Sequence, residues 1–158
     1  AEKREAANTV TYVIIKVNAR PITLYDVLRL YNVDVPARLL PVIRSSPVMT
    51  FIHHDPLRNS IGFAIETANP DRALANMPAW ESKIAFDIRP LFFKAEIEHL
   101  RPFDHRTYRN IDLRLAKLSD RYDVAVAYTI FAARNIFVLT TSENAIKSAI
   151  DRLLDTIR

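Results

Sequence analysis

The chain has 158 residues, close to half of them apolar, enough for one full-sized core and most simply a single domain. It contains no cysteine, which excludes disulfides, thiolate zinc sites and cysteine nucleophiles together. Its one glycine, Gly62, cannot build a phosphate-cradling loop or a nucleotide fingerprint, and a net charge of +4 is compatible with an acidic partner without requiring one.

Residues 1–8, AEKREAAN, are charged and alanine-rich, with no apolar stripe. They read as a flexible tether or an expression remnant, KREA resembling the processing junction of a yeast secretion leader, so residues 9–158 are expected to form the domain. From Thr9, TVTYVIIKVN predicts a strand covered on both faces. Thr23 starts a short helix with Leu24, Val27, Leu28 and Tyr31 on one side. Pro36 opens another, PARLLPVIRS, which Pro41 is expected to bend or end. VMTFIHH and SIGFAIET then read as a β-hairpin whose loop is too long for a two-residue turn.

Asn69-Pro70 signals a short helix through Ala73, Leu74 and Met77. A further helix is expected to start near Pro78, with Trp80, Ile84, Ala85, Ile88, Leu91 and Phe92 in one apolar stripe. Trp80, the only tryptophan, is expected to be a packing anchor: an indole buries up to about 250 Å² and needs one partner for its N–H. Glu81 is expected in a first helical turn, where the dipole favours an acid.

TYRNIDLRLAKL predicts a half-exposed strand, with Ile111, Leu113 and Leu115 on one face and Asn110, Asp112 and Arg114 on the other. YDVAVAYTIFA and NIFVLTTS follow as an antiparallel pair, and their low charge places them centrally. Thr140 and Glu143 have the spacing of a capping box for a closing helix with Ala145, Ile146, Ala149, Ile150, Leu153, Leu154 and Ile157 in its stripe. The order predicts an α+β domain: a largely antiparallel mixed sheet of about five to six strands, covered by helices on one side, with the C-terminal amphipathic helix packed on it. With one glycine, turns must rest on Asn, Asp and the nine prolines. No apolar run is long enough to span a bilayer, so direct membrane insertion by this segment is not expected.

The segments PVIRSSPVMTFIHH, DRALANMPAWESKIAFDIRPLF, FDHRTYRNIDLRL and NIFVLTTSENAIKSAIDRLL resemble a family of uncharacterised, membrane-anchored proteins of candidate-phyla (Patescibacteria-type) bacteria. The matching positions are Trp80, Glu81, Asp87, Pro90, Leu91, Phe92, Phe103, Asp104, Asn110, Asp112 and Arg114, and the likeness covers most of the chain after Pro36. Thr50 and Asn76 stand where that family tends to carry glycine, which puts close backbone packing there in doubt. The resemblance implies an extracytoplasmic domain, periplasmic or at the cell surface, tethered by a membrane segment outside this chain. It implies no catalytic residue.

Several residue sets could carry chemistry. His53, His54 and Asp55, with Asp104 and His105, are of metal-ligating type, but neighbours on a strand point to opposite faces and the expectation is no metal. Ser45, Ser46 and Ser60 lack a glycine-framed nucleophile elbow. Asp112 with Asp104, or Asp120 with Asp123, could serve as acid–base pairs if buried together, although Asp120 and Asp123 flank a turn that favours them for local hydrogen bonding. No catalytic residue and no cofactor is expected. The basic cluster Arg101, Arg106, Arg109, Arg114, Lys117 and Arg121, with Tyr108 interleaved, suits phosphate binding and base stacking, but Asp104, Asp112 and Asp120 dilute its field. The sequence thus predicts a non-catalytic interaction or scaffold domain whose partner is a protein or envelope component. The alternative is a module for nucleic acid or another polyanion using the Arg101–Arg121 cluster.

Overall fold

The computed structural model describes residues 8–44 and 46–156. Most of the expected tether (1–7), Ser45 and Ile157 therefore lie outside the described residues. The elements are β1 (Thr9–Val13), β2 (Lys16–Val17), β3 (Arg20–Pro21), α1 (Leu24–Leu30), α2 (Leu40–Ile43), β4 (Met49–His54), β5 (Asn59–Glu66), α3 (Pro70–Asp87), β6 (Asp104–Tyr108), β7 (Ile111–Lys117), β8 (Ala125–Phe131), β9 (Ile136–Thr140) and α4 (Glu143–Asp155). Seven strands form one antiparallel sheet in the order β1-β4-β5-β9-β8-β7-β6, while β2 and β3 pair separately. The α+β class is as the sequence predicts, with a sheet of seven strands rather than five or six. The β8–β9 pair lies in its interior.

Two cores flank the sheet. On one face Phe63, Ile65, Tyr128 and Phe137 pack with Met77, Trp80 and Ile84 of α3. On the other, Phe51, Leu115, Ala127 and Val138 pack with Ala145, Ile146 and Ile150 of α4. Helices therefore cover both faces, which corrects the one-sided cover expected from sequence. Successive side chains of a strand point oppositely, so the nearly unbroken apolar runs of β8 and β9 supply both cores at once. Among the described residues no helix is long and apolar enough to cross a membrane.

Several local expectations change. The Thr9 segment is an edge strand of five residues, not a strand covered on both faces, and Tyr12 is 47% exposed. The α3 helix runs unbroken through Pro78, where two helices were expected. Proline costs an internal helix one hydrogen bond, but Ala73 and Met77 before it and Trp80 and Ile84 after it press one face onto the same core, which outweighs that loss. The segment opened by Pro36 does divide at Pro41: Ala37–Leu39 is a single 3-10 turn, and Pro41 then lies in the first turn of the short α2, where no N–H is required. Thr23 does cap α1, in a reciprocal box with Asp26. The cap of α4 is Ser142, whose hydroxyl accepts from the Ala145 N–H, while Thr140 donates to the Ser142 carbonyl.

TYRNIDLRLAKL is not one strand but the β6–β7 hairpin, turning on Arg109 and Asn110. Both have positive φ, the geometry a tight hairpin turn requires. Among the described residues nine non-glycine positions adopt positive φ, and five are asparagine (Asn8, Asn18, Asn32, Asn110, Asn135). Asparagine tolerates that region better than other side chains, so it stands in for the missing glycines. Gly62 is not in a turn at all. It faces Phe51 across β4–β5, and a Cβ there would overlap the Phe51 ring, so its role is to admit that ring to the α4-side core.

Candidate functional site

Trp80 sits at the centre of α3, 3% exposed, in the core between helix and sheet. Its indole N–H donates to Asp87 Oδ2 at 2.8 Å, two helical turns further on. This is the buried anchor that the sequence predicts, and Asp87 is the partner its N–H requires.

Glu81, the next residue, faces a cleft of about 540 Å³ between α3 and the segment around Leu100–Phe103, above β7. It lies past the middle of α3, so the first-turn role expected for it is not what the structure shows. Arg114 of β7 grips it with two bonds, Nε to Oε1 at 2.8 Å and Nη2 to Oε2 at 2.7 Å, and the Tyr128 hydroxyl of β8 donates to Oε1 at 2.7 Å. The side chains of Glu81 and Arg114 are 15% and 34% exposed. Burial pushes the Glu81 carboxyl up, but the Arg114 and Tyr128 hydrogen bonds and the Arg114 charge outweigh it and hold the carboxyl below its ordinary value. The bonds to Glu81 in turn push the Arg114 guanidinium up, while burial and the Glu81 bond push up the Tyr128 phenol. All three groups are thus fixed in their usual charge states at neutral pH, which suits a bracket between helix and sheet and not proton transfer. The sequence offers no signal for this trio, because its members lie 33 and 47 positions apart on different elements.

The arginine cluster does not converge on one face. Arg106 and Arg109 pair with Glu143 and Asp151 of α4, and Tyr108 also donates to Asp151. Arg114 is bound on the opposite face of the sheet, in the Glu81 bracket. Arg101 and Arg121 pair with Asp120 and Glu98 in the loops. Lys117, last in β7, acts at longer range on Glu143. Apart from Lys117, each cation of the set has a carboxylate within 4.0 Å, which dilutes the field further than the sequence suggests.

The carboxylate pairs do not meet either. Asp104 lies by Arg106, whereas Asp112 accepts from Thr107 and lies 3.5 Å from His105. Asp123 accepts the Glu143 and Asn144 backbone N–H groups and so caps α4 from outside the helix. No group of three or more His, Asp or Glu suited to a metal occurs among the described residues. His53 and His54 point to opposite faces: His54 bonds Thr11 and Asn59, while His53 is buried on the α4 side.

Burial holds the His53 imidazole below its ordinary 6.5, and its Nδ1 has no hydrogen-bond partner among the described residues. The folded state then binds fewer protons than the unfolded one, so stability contributed here is complete above pH 6.5 and declines as pH falls through the folded value. Urea unfolding from pH 7.5 to 5.5 is expected to show that decline in the parent chain and a flatter profile in His53→Gln.

No protein-family model, curated protein or solved structure matches the chain.

Proposed function

We propose that the chain is a non-catalytic interaction domain that offers the rim of the Glu81 cleft to a protein partner. The observation that carries this reading is the contrast between floor and rim. At the floor, every ionisable group of the bracket is bonded to another. At the rim, Phe86 and Leu100 are 69% and 67% exposed on either side of the opening. Large apolar side chains held in water beside a cleft favour docking of an apolar anchor from another protein. An extracytoplasmic setting with a membrane tether belongs to the same proposal and rests on the sequence resemblance alone.

The test is capture from an extract of native envelopes by immobilised wild-type chain and by the double variant Phe86→Ser, Leu100→Ser, each at low and high salt. A saturable protein partner, retained at high salt and lost with the double variant, is the expected result. Capture of nucleic acid that vanishes as salt rises would favour the polyanion reading instead. Equal capture by the double variant would remove the cleft from the proposal.

A further inference from the structure

A second opening lies on the opposite face of the sheet and has a different chemistry. The α4 helix packs on β4, β5, β8 and β9, and β1 extends the sheet beyond it. Between the C-terminal half of α4 and β1 runs a groove of about 420 Å³, within the size range of small-molecule sites. It stays open because the residues at its base, Ala64 on β5 and Ala149 on α4, are too small to close it. Tyr12, Ile14 and Met49 form an exposed apolar margin.

Besides the Tyr12 hydroxyl, the polar side chains in the lining are Arg134, Arg152 and Thr156. Arg134 donates to the Thr156 hydroxyl at 3.0 Å, and the Arg152 guanidinium lies 5.4 Å from the centre of the Tyr12 ring. Neither guanidinium is ion-paired with a carboxylate among the described residues, in contrast to the arginines of the 101–121 cluster. An apolar trough with two cations that have no counter-charge among the described residues matches one kind of occupant. We infer that the groove binds a free alkyl carboxylate, its chain along Phe51, Ile136, Val138 and Leu153 and its headgroup at Arg134 and Arg152. Such a ligand removes the exposed apolar margin from water and supplies the counter-charge that neither guanidinium has among the described residues.

The probe is dodecanoate, titrated by calorimetry below its micellar concentration, beside dodecanol and dodecylammonium. One dodecanoate per chain is expected, with dodecylammonium at least about tenfold weaker. Arg134→Gln with Arg152→Gln is expected to weaken dodecanoate about tenfold while sparing dodecanol. Ala149→Leu, which fills the trough, is expected to weaken both, and the Phe86→Ser, Leu100→Ser variant to bind as wild type, which separates this site from the cleft. Absent dodecanoate binding, equal affinity for dodecylammonium, or indifference to the arginine variants would overturn the inference. Binding to vesicles of anionic phospholipid without binding to dodecanoate would overturn it in favour of a membrane surface.

Discussion

Trp80→Ala is expected to destabilise the chain by about 3–5 kcal/mol in urea unfolding, the largest effect of any single truncation considered. The indole is buried where α3 meets the sheet, among side chains that reach the core from both halves of the Pro78-containing helix. Removing it leaves a cavity and orphans Asp87, whose Oδ2 accepts the indole N–H. Trp80→Phe separates the two contributions: most of the packing remains and the hydrogen bond is lost, so about 1–2 kcal/mol is expected.

The second large effect is expected at the Glu81 bracket. Glu81→Leu removes the acceptor for two Arg114 bonds and one Tyr128 bond. It leaves a guanidinium and a phenol in a setting only partly open to water. A fully buried pair broken in this way costs about 3–5 kcal/mol and an exposed one under about 1, so about 2–3 kcal/mol is expected for this partly exposed pair. Arg114→Met should cost a similar amount. The double variant should lose much less than the sum of the singles, because neither member is then left unpartnered. The effect carries a pH signature. Glu81 is held below the ordinary 4.5, so its contribution is complete above that pH and is lost as pH falls through the folded value; Glu81→Leu should lack that acid limb.

What the sequence reveals and what it hides divide along the range of the interactions. The Trp80 anchor, the Thr23 cap, the central β8–β9 pair and the amphipathic α4 are set by residues within a few turns or one strand of each other, and periodicity displays them. Turns built from asparagine are only half visible. In sequence Asn110 reads as a polar position on a strand, and only its positive φ beside Arg109 shows the hairpin. Pro78 misleads because tertiary burial overrides a local penalty. The two-sided cover of the sheet, the Glu81–Arg114–Tyr128 bracket and the apolar groove all depend on which strands become neighbours, and no local pattern encodes that. The arginine cluster errs in the other direction: contiguous in sequence, it is divided between the two faces and the loops by its acidic partners.

Trp80 is the chain's only tryptophan, so its fluorescence reports directly on whether the Trp80–Glu81 helix is an anchor or the wall of a working cleft. An anchor predicts blue-shifted emission in the native state, weak quenching by acrylamide, and a red shift with full quenching only when urea unfolds the sheet. Red-shifted, freely quenched emission from the folded chain would contradict the structural role assigned to that helix and, with it, the reading of the domain as non-catalytic.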